Sequence, residues 1–109
     1  MNFLPEEIEL YTANHSEKES ELLQELNHET WEKILNPRML SGHIQGRVLS
    51  MLSHMISPTN ILEIGTFTAY STLCFAEGLI QNGHIDTIDI NEELQPIVSK
   101  YINKSGFSN

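Results

Sequence analysis

The chain has 109 residues, 39% of them hydrophobic, and a formal net charge of −9 at neutral pH. That length allows one domain, and no run approaches the roughly 18 consecutive apolar residues a membrane-spanning helix needs. The six Lys and Arg residues are scattered rather than striped, which argues against a nucleic-acid surface, and the single Cys74 excludes a disulfide framework and fits a reducing cytoplasm.

Residues 1–7 meet acids where a signal peptide carries basic residues, so no leader is expected. From Glu6 to about His15 the pattern fits a short helix with Ile8, Leu10 and Tyr11 on its buried side. Ser16 followed by Glu19 has the form of a capping box for a longer helix. In that helix Leu22, Leu23, Leu26, Trp31, Ile34 and Leu35 recur as packing residues until Asn36-Pro37 ends it. The acids between Glu17 and Glu32 read as a solvated face.

Ser41 can cap a third helix, with Ile44, Val48, Leu49, Leu52 and Ile56 as its apolar face and Met51 and Met55 as core filler. Ser57-Pro58-Thr59-Asn60 is a turn. A strand is predicted near 60–64, a helix near 70–82 closed by Gly83, a strand near 84–89 and a helix near 92–104. Glu92 and Glu93 then suit the macrodipole of the last helix, and Ser105-Gly106-Phe107-Ser108-Asn109 reads as a turn before a further strand. The plan is one domain over 1–109, truncated, with a helical layer over 1–57 and a βαβα unit over 58–109. Two parallel strands do not make a stable doubly wound sheet. The expectation is therefore the N-terminal part of a larger α/β protein.

Within that plan, Ile61-Leu62-Glu63-Ile64-Gly65 reads as a buried strand that breaks at a glycine. Thr66-Phe67-Thr68-Ala69-Tyr70-Ser71 then leads into a helix whose N-terminus faces a ligand. Ile85-Asp86-Thr87-Ile88-Asp89 follows as a second strand ending in a carboxylate, the group suited to accept two hydrogen bonds from a cis-diol. Gly65 alone is compatible with a plain turn, and Asp89 alone with a helix-capping acid. The two at this spacing favour nucleoside binding. Glu63, a carboxylate inside an apolar strand, requires a partner, either a cofactor or nearby backbone.

Leu62-Glu63-Ile64-Gly65-Thr66-Phe67-Thr68-Ala69-Tyr70-Ser71 closely resembles the S-adenosylmethionine-dependent O-methyltransferases of the caffeoyl-CoA and catechol type. Arg38-Met39-Leu40-Ser41-Gly42 with Gln45-Gly46 resembles the segment of that family that folds over the cofactor, and Thr87-Ile88-Asp89-Ile90-Asn91 resembles its second strand. The likeness runs over most of residues 17–109. It implies a Rossmann-like methyltransferase sheet with helices on both faces, of which this chain supplies the N-terminal helices and the first βαβα. It also implies S-adenosyl-L-methionine as cofactor. Gly65 would let the backbone approach the methionine part, Ser71 would hold the amino-acid end, and Asp89 would take both ribose hydroxyls. Met39, Ser41 and Phe67 match positions that line the methionine side, and Glu63 is the strand acid characteristic of the family. The implied reaction moves a methyl group to a hydroxyl, above all a phenolic one, of a small molecule. A divalent metal such as magnesium is an optional partner of the full-length protein. Its ligands lie on later segments in the family, so no metal ligand and no catalytic residue is assigned. Ala69 stands where the family usually has a second glycine; its methyl is tolerated at negative φ and crowds the site at positive φ.

His15, His28, His43, His54 and His84 share no metal spacing, with His43 and His54 reading as helix surface; Cys74 lacks a nearby cationic pattern and reads as packing. Two other function classes remain. One is a nucleotide-binding or helical interaction module without catalysis. The other is an NAD-dependent oxidoreductase, which would need Gly-x-Gly-x-x-Gly where the chain has Gly65-Thr66-Phe67-Thr68-Ala69. Unpaired sheet edges favour self-association, most simply a homodimer. By itself the chain is expected to be catalytically inactive.

Overall fold

The computed structural model describes residues 4–107. Helices α1 (Glu6–Asn14), α2 (Glu21–Lys33) and α3 (Gly42–Ile56) precede strand β1 (Asn60–Ile64), helix α4 (Tyr70–Ala76), strand β2 (His84–Ile88) and helix α5 (Gln95–Ser105). Short 3₁₀ turns at Pro37–Met39 and Glu92–Leu94 lead toward α3 and into α5. The two strands pair in parallel, with Asn60 opposite His84 and Ile64 opposite Ile88. Helical layer first, βαβα second: the α/β architecture expected from the sequence is present. Residues 108–109 of the expected final turn lie outside the described residues, while Gly106 is left-handed (φ +83) at the end of α5.

Several boundaries differ from the sequence reading. Ser16 does not open α2. Its hydroxyl donates to the Thr12 carbonyl at 2.6 Å and closes α1, and the cap of α2 is Ser20, which accepts the Leu23 N–H at 3.3 Å. The expected capping-box acid, Glu19, instead accepts the Tyr70 hydroxyl. Ser41 precedes α3 without making a capping hydrogen bond. Helix α4 ends at Ala76 rather than near 82 because the chain there runs into α3. A Cβ on Gly78 would stand 2.4 Å from the Ser53 and His54 backbone, so only glycine fits.

The core lies among helices: Leu23 and Leu26 of α2, Tyr70, Leu73 and Cys74 of α4, and Ile97 and Tyr101 of α5. Helix α3 joins it by an unexpected side. Its buried residues are Gly46, Ser50 and Ser53, a row of small side chains at helical spacing that brings α3 close to α4. Of the expected apolar row only Leu49 packs, half-buried, against the core; Val48, Leu52 and Ile56 are exposed, and so are Met51 and Met55, which are not core filler. Helix α1 buries none of its residues; Ile8, Leu10 and Tyr11 are exposed, as are Trp31 and Leu35. Periodicity placed these helices approximately and picked out Leu22, Leu23, Leu26 and Ile34 as packing residues, but it missed the buried side of α3 and the exposure of α1.

A half-buried polar cluster fastens the α3–α4 seam. Arg47 meets Glu77 fork to fork, at 3.0 Å through Nη1 and 2.7 Å through Nη2, and also reaches Glu17 at 2.6 Å. Ser50 donates to Glu77 at 2.9 Å, and Ser53 donates to the Phe75 carbonyl at 2.6 Å. Burial pushes the Glu77 carboxyl up, but the hydrogen bonds from Arg47 and Ser50 outweigh it and hold the group below its ordinary range. Cys74 does have a cationic neighbour, since Arg47 Nη2 lies 3.7 Å from its sulfur. Burial still dominates and pushes the thiol up to about 11, as befits a packing residue.

All the helical packing falls on one face of the sheet. On the other, Leu62 and Ile64 of β1 are 68% and 82% exposed, with Ile88 and Ile90 beside them.

Candidate functional site

Beyond Ile64 the strand pairing continues into the loop: the Gly65 and Thr66 N–H groups both donate to the Ile88 carbonyl, at 2.7 and 3.3 Å. Gly65 then takes φ +95, and no atom lies within 4 Å of where a Cβ would stand. The glycine is required here by backbone conformation and leaves open space above it. Phe67 (φ +49) and Ala69 (φ +76) are also left-handed. The methyl of Ala69 thus sits in the conformation that the sequence reading marked as unfavourable for it. The Ala69 N–H donates to the Thr66 carbonyl at 2.8 Å, and its own carbonyl accepts the Leu73 N–H at 2.9 Å, which starts α4. Thr68, fully buried, lies 3.0 Å from the Thr30 hydroxyl and ties the loop to α2.

Asp89 completes this loop from the end of β2. Its Oδ2 accepts the Phe67 N–H and its Oδ1 the Asn91 N–H, each at 2.9 Å. These amides, Asn91 foremost, hold the carboxyl below its ordinary value. A carboxylate has about four lone-pair sites; two are used here, and the exposed side chain offers the others to outside donors. One group thus braces the loop and remains open to a diol.

A cleft of about 530 Å³ lies beside it, lined by Lys33 to Asn36, Met39, Phe67, Asp89, Asn91, Glu93 and Leu94. Its walls are the segment leading to α3 and the two strand ends. Of the seven residues singled out from the sequence, Met39, Phe67 and Asp89 line this cleft; Ser41, Glu63, Gly65 and Ser71 do not. Glu63 and Ser71 form a second group. Glu63 is 9% exposed and accepts three hydroxyls, those of Ser71 (2.5 Å), Thr87 (2.7 Å) and Thr72. The required partner of this carboxylate is thus a set of neighbouring hydroxyls. Sequence reasoning missed Thr72 and Thr87, although a signal existed: in the parallel register Thr87 stands opposite Glu63.

A second cleft of about 510 Å³, between α4, β2 and the end of α5, contains none of the seven. Among the described residues no three of His, Cys, Asp and Glu stand together as a metal site. No described helix is long and apolar enough to cross a membrane.

A family model described as O-methyltransferase matches residues 13–109. Caffeoyl-CoA O-methyltransferase 2 of Petunia hybrida is 37% identical over 91 residues, covering 84% of this chain and 37% of the relative. Catechol O-methyltransferase of Niastella koreensis is 33% identical over 64 residues, covering 59% of this chain and 29% of the relative. Among solved structures, an O-methyltransferase from Bacillus cereus in complex with S-adenosylhomocysteine superposes with a TM-score of 0.82 at 27% identity, covering 91% of this chain and 44% of that one. The chain spans less than half the length of each of these proteins.

Proposed function

The chain belongs to the O-methyltransferase family, and on that premise we propose that its cleft is the cofactor site of an S-adenosylmethionine-dependent enzyme that methylates a hydroxyl, phenolic by preference, of a small molecule. The observation that carries the reading is Asp89, held by two backbone amides with its outer acceptor sites free, on the wall of a cleft shared with Met39 and Phe67. The residues fit the group. Asp89 accepts the two ribose hydroxyls, Gly65 leaves space for close approach of the ligand, and Met39 and Phe67 flank its methionine side, with Ser41 two residues beyond Met39 in the same segment. Glu63 and Ser71 take the amino-acid end. When bound, S-adenosylmethionine supplies an electrophilic methyl group. The contribution of this chain is to hold and orient the donor, a large part of the work in a two-substrate reaction.

The same reading covers 1–57 as a helical layer and 58–109 as the opening half of a Rossmann-like sheet, in a cytoplasmic protein. Glu63, Asp89 and their neighbours bind rather than transfer protons, and no step is assigned to a divalent ion. The 109-residue chain is expected to bind without turnover; methyl transfer to a catechol-type acceptor at enzyme-like rates would contradict this. Self-association as a homodimer draws support from the exposed row Leu62, Ile64, Ile88 and Ile90. A concentration-independent monomer in sedimentation would count against it.

The test of the cofactor reading is calorimetric titration with S-adenosylhomocysteine. Saturable binding that Asp89→Asn weakens supports it. Absence of binding, or binding indifferent to Asp89, refutes it.

A further inference from the structure

Two separate pieces of chain that line the cofactor cleft are joined through one buried side chain. The end of α2 and the residues after it, Lys33 to Asn36, supply part of the lining, and the β1–α4 loop supplies Phe67. Thr30 stands one turn before Ile34 and connects to both. Its carbonyl accepts the Ile34 N–H at 3.1 Å and closes the helix, while its hydroxyl lies 3.0 Å from that of Thr68, the residue after Phe67. Both threonines are fully buried, so neither hydroxyl can exchange its partner for solvent.

The direction of this bond is fixed. Thr30 gives its one proton to the Leu26 carbonyl at 2.7 Å, so within the pair Thr68 donates and Thr30 accepts. Among the described residues the Thr68 hydroxyl has no other partner. Thr68 also sits between Phe67 (φ +49) and Ala69 (φ +76), two left-handed residues without the freedom of glycine. Such a backbone persists only where its surroundings hold it. Asp89 holds it from the solvent side through the Phe67 N–H, and Thr30 holds it from the interior.

We propose that Thr30 is a positioning residue for the cofactor. By accepting the Thr68 proton it pins the loop to α2 and so sets where Phe67 stands relative to the lining residues Ile34 and Met39. This rests on the cofactor reading above. Thr30 touches no ligand; it acts only through Thr68, and Thr68 only through the backbone of its two neighbours.

The experiment is calorimetric titration of the wild type, Thr30→Ser and Thr30→Val with S-adenosylhomocysteine, with chemical denaturation of each in parallel. Valine keeps the shape but leaves the Thr68 proton without an acceptor, and affinity should fall about tenfold. Serine keeps the acceptor, and affinity should stay within about threefold of the wild type although a buried methyl is lost. Without ligand, the Phe67 amide should exchange with solvent faster in the Val variant than in the Ser variant; equal exchange would contradict the proposal. Unchanged affinity in Thr30→Val, whatever its stability, overturns the proposal and leaves the cofactor reading intact. Equal weakening in both variants shows that the hydroxyl is not the cause and overturns it too. No binding by the wild type removes the cofactor reading and the proposal with it. If circular dichroism shows Thr30→Val unfolded, Thr68→Val cuts the same bond from the loop side and should weaken binding to a similar extent. Unchanged affinity there, or unfolding of that variant as well, makes the pair a folding contact and defeats the proposal.

Discussion

The α3–α4 seam and the β1–α4 loop use glycine for opposite ends. In the seam, a Cβ on Gly46 would lie 2.7 Å from the Tyr70 ring and 2.8 Å from the Cys74 sulfur, and one on Gly78 would meet backbone at 2.4 Å. In the loop, a Cβ on Gly65 would meet nothing within 4 Å. The seam is closed, with Arg47, Ser50 and Ser53 bonded to Glu77 and the Phe75 carbonyl and only Arg47 Nε left without a partner among the described residues. Above Gly65 the loop is open, and of its three left-handed residues Phe67 is held by an exposed carboxylate and the other two by backbone carbonyls. Strain retained beside open space suggests a binding function, and tight packing marks what supports it.

The sharpest way to break this comparison is Gly78→Ala. Overpacking against backbone cannot be relieved by a rotamer change, and we expect a loss of about 3 kcal/mol in chemical denaturation. A neutral result would mean the seam is not closed.

Next is Glu77→Gln, which deprives the half-buried Arg47 of its bidentate partner but leaves it Glu17. The expected cost is about 2 kcal/mol. The pair also sets a pH dependence. Because the folded Glu77 carboxyl lies below its ordinary value of 4.5, its contribution is complete above that pH and is lost as pH falls through the lower folded value. Wild-type Tm should therefore fall more steeply below about pH 4.5 than that of the Gln variant.

Asp89→Asn should behave in the opposite manner. Affinity for S-adenosylhomocysteine drops about tenfold or more, while stability changes by less than about 1 kcal/mol because the group is exposed. A large stability loss with unchanged affinity would move Asp89 to the structural side of the comparison.

The smallest effect is a gain. Ala69→Gly removes a methyl from a left-handed residue and should stabilise the fold by about 1 kcal/mol in the same denaturation assay. Destabilisation would show that packing of this buried methyl outweighs its strain.

What the sequence revealed follows from how local each signal is. The strand limits at 60–64 and the turn at Gly65 were legible because a short apolar run, a glycine and a following helix all sit within one short segment, although the expected burial of that strand fails at Leu62 and Ile64. Asp89 was legible as a strand-end carboxylate, and the structure brings it to the loop that follows Gly65. The side of α3 that is buried was not, since Gly46, Ser50 and Ser53 carry no hydrophobic signal and their role depends on how closely α4 approaches. The cation beside Cys74 was hidden for the same reason, because Arg47 arrives from another helix. The cap at Ser16 was misplaced because Ser20 offers the same chemistry one turn later, and Glu19 is drawn to Tyr70 instead. Thr87 needed the strand register, and Thr72 the placement of α4 against β1, before either could be paired with Glu63.

Amide chemical-shift mapping by NMR on adding S-adenosylhomocysteine tests the central claim most directly, because it reads both regions in one experiment. The amides of Gly65, Phe67 and Asn91 should shift with a common saturation curve, while those of Gly46 and Gly78 stay in place. Shifts confined to the seam, or none in the loop, would contradict the assignment of the loop as the binding region.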